Sequence, residues 1–589
     1  MKKFFTILVL ISATVSAQVP LKIVLPESDT TKYSYAKHRV AGSTSPDAHV
    51  FVNGVEVKVN ALGAFIGMAD VPEGTSQVRF VARNAAGDST VKLMTIIRPV
   101  RAVSTPRDPI TIENRMMLPA ENVWLGMGDV LEVRFKGSPG YDASFDIENV
   151  ESHIPMRELS AKEANGVEGI YVGRYVIKQG DETHDTPLRF RLKKSFWSSE
   201  KAYSKSTVTI TTTDFPRVVE VKGKRPFLNI GLGDDRLGGA KLGFISSGVR
   251  MKINGKFGDQ YRVELSPSMT AYLPEEYATL LPSDTPMPRA LSGSISITGN
   301  ATEDNVSIGM GQKLAYTTEQ LIHPAAIVVN IYGATSNTNW ITHMNSATNI
   351  EQVTCRQAGT EQLQVTIYLK DQQHWGYDAA YEGSSLKLKV RKAPVVADTT
   401  NPLAGMTIVI DAGHGGNNNG ALSSTGGLEK DMNLSLAQHL RDILNGKGVH
   451  TVMTRDTDAN IPMGVRADSI ISSNAQILVS IHNNSIGETS DAGTVKGTST
   501  YWRYPGFKTL ADILYTKMLE TGLSEYGKTG NFNFSLNAPT QLVNVLVEGA
   551  FMSNPDDEQK LLDDNFRMLV ANKIASGLEE FMLKYGARK

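Results

Sequence analysis

Two histidines and two glutamates in the C-terminal part of the chain have the types and the setting that metal-assisted hydrolysis needs. The apolar run Ile408-Val409-Ile410 leads into Asp411-Ala412-Gly413-His414-Gly415-Gly416, the run Ile477–Ile481 leads into His482-Asn483-Asn484, and the run Leu542–Val547 leads into Glu548. In open α/β sheets ligands bind beyond the carboxyl ends of the strands, so groups placed just after such runs are the ones a site would use. A catalytic zinc takes three protein ligands and leaves a position open, while a nearby carboxylate acts as base toward the attacking water. Two imidazoles and one glutamate meet the ligand requirement and leave one glutamate spare. Glu429, which opens the helical pattern after the first strand's loop, is the fourth candidate. Spacing alone does not say whether Glu429 or Glu548 holds the metal.

Each residue also has a plainer reading. Gly413-His414-Gly415-Gly416 after a strand would suit a phosphate, but the Gly-Lys-Ser/Thr ending and the third glycine at dinucleotide spacing are missing. Single histidines at strand ends are most often structural, Glu429 would favour the positive end of its helix with or without a metal, and Glu548 would serve as an ion-pair partner. The coincidence of all four favours the metal site. Beside them, Asn483 and Asn484 are candidates for holding a peptide substrate or bracing the ligands. Arg455 and Arg466 are expected to anchor loops through carboxylates. Asn554-Pro555-Asp556-Asp557 reads as a helix start, with an Asn cap, Pro first and acids in the first turn. His439 and His450 are expected to be exposed and not to ligate.

These residues need an element set that brings strand ends together. Short apolar runs at Met406–Ile410, Val449–Met453, Ile477–Ile481 and Leu542–Val547 alternate with helical patterns at 428–444, 465–473, 507–521 and 565–583. Apolar strands alternating with helices predict an α/β domain, with a largely parallel sheet flanked by helices, over residues 397–589. The stretch 393–403, with two prolines, reads as a linker.

Residues 18–396 read as β modules. The whole chain has 589 residues, far more than one hydrophobic core organises. Residues 18–102 predict an immunoglobulin-like β domain, with Asn53-Gly54 as a two-residue hairpin turn. Residues 103–214 predict a second β-sandwich, 215–290 a small β-barrel, and 291–396 a further β domain. Residues 1–17 have the two lysines, the apolar run and the Val15-Ser16-Ala17 ending of a signal peptide, too short to span a bilayer. Export to the periplasm or cell envelope is therefore expected, and no later run is long enough to cross a membrane. Cys355 is the one cysteine, so no intrachain disulfide is possible. A formal net charge of −1 argues against a broad electrostatic grip on nucleic acid.

The segment from Met406 onward resembles the zinc-dependent N-acetylmuramoyl-L-alanine amidases in four ordered blocks. They are Ile408 to Gly416, Gly427-Leu428-Glu429-Lys430-Asp431, Leu478 to Asn484, and Val547-Glu548-Gly549-Ala550-Phe551-Met552-Ser553-Asn554. The resemblance implies that His414, Glu429 and His482 bind one Zn²⁺ per chain and that Glu548 is the catalytic carboxylate. It also implies peptidoglycan as partner and substrate, cut between the lactyl group of N-acetylmuramic acid and L-alanine during wall turnover or cell separation. Ala412 stands where proline is common, Asn417-Asn418-Asn419 fills the following loop, and Ala550 stands where glycine is usual; none of these touches a ligand. Residues 215–290 resemble small bacterial barrels of the Src-homology type, and 291–396 resemble AMIN-type targeting domains.

Two other functions compete: a non-catalytic wall-binding scaffold with a vestigial C-terminal domain, and a zinc peptidase of other specificity. A vestigial domain would be expected to have lost a ligand or the base. Some amidases of this kind carry an inhibitory helix between the second histidine block and the glutamate; no spare amphipathic helix is legible there. The polar stretch 522–538 predicts a mobile substrate-facing loop, and the segment Pro402–Lys589 is expected to fold and act alone.

Overall fold

The computed structural model describes residues 18–588 apart from 101–102, 196 and 234–235; the expected signal peptide lies outside the described residues. Ahead of residue 397 the described elements are strands and one short 3₁₀ turn. In the first module the sheet of Leu21–Leu25, Lys37–Thr44 and Ala64–Asp70 shares a core with a five-stranded sheet, built around Val50, Phe65, Phe80 and Ile96. His49–Val52 and Val55–Val57 pair antiparallel across Asn53-Gly54. Both turn residues have positive φ, 49° and 85°, as a type I′ hairpin requires. A second core gathers Phe135, Phe145, Tyr171 and Phe190. The third runs without a break from Val219 to Val390, so the strands on either side of residue 290 bury their apolar faces together.

The C-terminal unit has the elements β1 (Thr407–Ala412), α1 (Glu429–Gly446), β2 (His450–Met453), α2 (Met463–Ser472), β3 (Ile477–Asn484), β4 (Thr498–Tyr501), α3 (Lys508–Leu519), β5 (Glu525–Thr529), β6 (Val543–Phe551), α4 (Pro555–Leu562) and α5 (Asp564–Tyr585). The sheet order is β2-β1-β3-β6-β4-β5. The first four strands are mutually parallel, β4 is antiparallel to β6, and β5 is parallel to β4. Alternate residues face opposite sides: Ile408, Ile410, Val479 and Ile481 join α1, α3 and α5 in one core, while Val409 and Leu478 join Ala467 and Ile470 of α2 in another. Burial on both faces is why these strands are continuous apolar runs.

The α4 start is as its sequence suggested. The Asn554 side-chain oxygen accepts from the backbone N–H of Asp556 (2.9 Å) and Asp557 (3.3 Å), and its amide donates to Ala492 O at 2.7 Å. Asn554→Ala is expected to cost about 1–2 kcal/mol, the scale of a lost cap. Chemical denaturation measures this; an unchanged midpoint would show that the cap contributes nothing.

The stretch 393–403 is more than a linker. Val395–Val396 pairs with Ala587–Arg588 at the C-terminus, and Leu403 is fully buried. Trp375, 2% exposed, belongs to the core of the C-terminal unit and packs on Phe581 with ring centroids 5.2 Å apart. Gln373 donates to Gly506 O at 2.7 Å, Tyr377 N to Thr540 O at 2.8 Å, and Arg391 to Ala475 O at 2.7 Å. A fragment beginning at Pro402 therefore leaves part of its own core behind. Since truncating a buried aromatic costs about 3–5 kcal/mol, that fragment is expected to unfold at lower denaturant than one beginning at Asp371. Equal midpoints would show that Trp375 is dispensable.

Candidate metal centre

The order β1-β3-β6 sets three strand ends side by side, and with them His414, His482 and Glu548. His482 and Glu548 occupy partner positions in the β3–β6 ladder. Glu429, first residue of α1, completes the group from above β1. One ligand atom each from His414, Glu429 and His482 lies within 4.8 Å of the others. The Glu429 carboxylate stands between the imidazoles, with Oε2 3.1 Å from His414 Nε2 and Oε1 3.1 Å from His482 Nδ1. The same two oxygens accept from the Ala421 N–H (2.7 Å), the Asn433 amide (3.1 Å) and the Asn483 N–H (3.2 Å). His414 Nδ1 lies 2.9 Å from Asn418 Oδ1, which fixes the ring so that Nε2 faces inward.

The loop geometry leaves room for these rings. A Cβ on Gly413 would lie 2.3 Å from the His482 ring, and one on Gly420, where φ is +68°, would lie 2.5 Å from Glu429 Oε2. His414 itself has φ of 64°, in the left-handed region that a side chain rarely adopts. Arg466 holds it there, donating to His414 O, to Ala412 O at 2.7 Å and to Asp411 Oδ1 at 2.8 Å. Arg466 thus anchors in part through a carboxylate, as expected. Arg455 does not: it donates to the carbonyls of Ala412, Gly413 and Lys430 at 2.8–2.9 Å, because the tight β1 loop turns its unpaired carbonyls inward. The expectation that the Asn417-Asn418-Asn419 loop touches no ligand is overturned by Asn418, which lies against His414; Asp411 and Asn433 are further supports to which the sequence reading gave no role. Asn418 stands four residues after His414 and Asn433 one helical turn after Glu429, which was the available signal.

Asn483 is committed to the protein. Its amide donates to Asn433 Oδ1 at 2.8 Å and its oxygen accepts from Ala550 N at 3.3 Å. Asn484 sits nearer the opening, with its amide 3.2 Å from the Tyr501 hydroxyl. His439 is half-buried and pairs with Asp564, and His450 is exposed; both are away from the centre. The stretch 522–538 contains β5 and a 3₁₀ turn, and Phe532 and Phe534 wall the cleft. This cleft, about 260 Å³, contains all four of His414, Glu429, His482 and Glu548. A larger cleft, about 350 Å³, lies in the front modules and contains none of them.

Burial opposes charge at Glu429, His482 and Glu548, and their mutual interactions decide the outcome. For Glu429, burial pushes the carboxyl up, but hydrogen bonds from both histidines and their charge bring it well below the usual range. For His482, burial disfavours the imidazolium, yet Glu429 outweighs it and lifts the group to about 9. Glu548 is raised to about 8, by burial first and by the Glu429 charge, against the pull of His482. Its Oε2 is buried without a hydrogen-bond partner among the described residues. Two imidazoles and a carboxylate converging beside an unengaged carboxylate oxygen fit a divalent zinc, which takes such mixed N and O ligands.

His482 must lose its proton to ligate, so a metal competes with that proton at every pH below about 9. The affinity of metal-free protein for zinc is expected to rise about tenfold per pH unit from ~7 toward ~9 and then level off, with proton release on binding. Calorimetry in buffers of different ionisation enthalpy reads that release. Flat affinity across the range would show that His482 is already neutral.

Known proteins share this part of the chain. Residues 408–580 match the family model described as N-acetylmuramoyl-L-alanine amidase. The probable cell wall amidase LytH of Staphylococcus epidermidis is 34% identical over 188 residues, 31% of this chain and 60% of that protein. Its counterpart in Staphylococcus aureus is 35% identical over 193 residues, 31% and 62%. The chain thus spans about three-fifths of the length of these relatives. The catalytic domain of CwlV, an N-acetylmuramoyl-L-alanine amidase from Bacillus (Paenibacillus) polymyxa var. colistinus, is 32% identical, with 30% of this chain and 97% of that one covered and a TM-score of 0.28.

Proposed function

With residues 408–580 forming a domain of the N-acetylmuramoyl-L-alanine amidase family, we propose that this protein is a zinc-dependent amidase of peptidoglycan. It cleaves the bond between the lactyl group of N-acetylmuramic acid and L-alanine, outside the cytoplasm. The observation that carries the reading is the convergence of His414, Glu429 and His482 within 4.8 Å, with Glu548 beside His482 in the sheet. A vestigial domain has no reason to keep this arrangement, which argues against the scaffold reading.

His414, Glu429 and His482 would hold one zinc, which when bound supplies a Lewis acid for the scissile carbonyl and the attacking water. Glu548 accepts the proton of that water through its free Oε2 and returns it to the departing alanine nitrogen. Asn433 and Asn418 keep Glu429 and His414 aimed inward. Phe534, whose ring stands edge-on to His482 with centroids 5.6 Å apart, shields one side from bulk water. Asn484, at the opening, is the better placed of the two asparagines to meet the peptide, while Asn483 braces the ligands.

A wall-targeting role for residues 291–396 rests on the sequence resemblance alone, because the family match begins at residue 408. Among the described residues no helix is long and apolar enough to cross a membrane. The test is digestion of purified peptidoglycan by the full chain, with the new termini identified by mass spectrometry. Free L-alanine amino termini and lactyl carboxylates are expected, lost on chelation and restored by zinc; new reducing sugar ends or cuts within the peptide would overturn the proposal.

A further inference from the structure

The cleft is not built by the C-terminal unit alone. The connection between the strands Phe227–Asn229 and Lys241–Phe244 of the front modules reaches it, and Arg236 and Leu237 line it together with His414 and Glu548. The base of this loop is closed by Ile230 N donating to Ala240 O at 2.8 Å. Asn533, between the two phenylalanines of the cleft wall, grips the loop at both ends of its amide: it donates to Gly239 O at 3.0 Å and accepts from Lys241 N at 3.2 Å. Arg503 donates to the same Asn533 oxygen at 2.9 Å and to Lys241 O. The end of the loop from Leu237 to Lys241 is therefore fixed to the wall that carries Phe532 and Phe534.

Arg236 is the one lysine or arginine among the cleft's described lining residues. Among the described residues no hydrogen bond or ion pair engages its guanidinium; the side chain is exposed at the cleft, and its charge is felt by Glu548. A guanidinium offers parallel donors that match a carboxylate, and at a held backbone position it orients what it binds.

We infer that Arg236 is a substrate-positioning residue lent by the front modules, which binds a carboxylate of the peptide portion of the substrate and makes the site selective for acidic peptides. This rests on the amidase reading, since it takes the peptide to be what enters the cleft.

The test uses the full chain, zinc-loaded, with Arg236→Ala and Arg236→Lys, and two soluble muramoyl peptides that differ only in whether the peptide carboxylates are free or amidated. Arg236→Ala is expected to lower kcat/KM on the free-acid peptide roughly tenfold or more, the range of a charge-assisted hydrogen-bond pair. Compared above the acid limb, since the Arg236 charge also lowers the Glu548 carboxyl, the loss should lie in KM, with kcat, zinc content and the amidated peptide little changed, and Arg236→Lys should fall between. Equal loss on both peptides, no loss, or faster turnover would overturn the inference, the last by showing that the loop covers the site. Binding of both peptides to Glu548→Gln protein, with and without Arg236→Ala, reads carboxylate recognition without cleavage. Arg236-dependent binding in a protein that cleaves neither peptide would sink the amidase reading alone; binding blind to Arg236 would sink this inference alone.

Discussion

Glu548→Gln is expected to leave the protein folded and zinc-loaded while lowering kcat on peptidoglycan by about 10²–10⁴-fold, the range for loss of a positioned general base. The amide has nearly the shape of the carboxylate but cannot accept a proton. Because Oε2 has no hydrogen-bond partner among the described residues, the substitution removes no internal bond at that atom. The acid limb of the pH–activity profile should go with it. In the metal-free site burial raises Glu548 to about 8; a bound cation lowers that value, so wild-type activity should rise with pH as the carboxyl ionises. The Gln variant should show no such limb. Glu429→Gln should behave oppositely, losing zinc, since both of its oxygens face imidazoles. If Glu548→Gln loses the metal and Glu429→Gln keeps it, the two glutamates have been assigned to each other's roles.

His414→Ala and His482→Ala are each expected to reduce bound zinc from one per chain to near none after dialysis. An open three-ligand site has no spare donor, and loss of an outer hydrogen-bond partner alone already costs about 10–100-fold in affinity. Asn418→Ala, which frees the His414 ring, should show that smaller loss, and His439→Ala and His450→Ala should show none. The two ligand variants should also differ in metal-free stability. Removing His482 leaves Glu429 and Glu548 buried near each other without the intervening cation, whereas His414 is more exposed. Metal analysis with thermal unfolding decides; full zinc in both variants would dismiss the ligand assignment.

The strand ends were legible because a parallel strand buried on both faces is an unbroken apolar run, and the polar residue that follows it announces itself. His414, His482 and Glu548 were found that way. Their division of labour with Glu429 was not legible in the spacing, which puts both glutamates near one sheet edge; the resemblance assigned Glu429 to the metal and Glu548 to the base, and the placement of Glu429 between the imidazoles accords with that. Strand β5 was read as loop because Glu525–Thr529 is an edge strand with little burial and no alternation of apolar residues. Trp375 and Arg236 were out of reach for a different reason. Each meets the C-terminal unit from a module ahead of it, and local periodicity carries no trace of where another module docks. For Arg455 the partner differs: arginine suggests a carboxylate, and only the fold turns backbone carbonyls toward it.

The pairing of Val395–Val396 with Ala587–Arg588 also bears on how the molecule carries load. The segment that enters the C-terminal unit lies beside its last described residues, so a pull along the chain from the front loads this short parallel clasp and the buried Leu403, together with the docked Trp375 and Arg391, before it reaches β1. The bonds strained first are ones that no chemistry depends on, and the ladder bearing His414 and His482 is mechanically downstream of them.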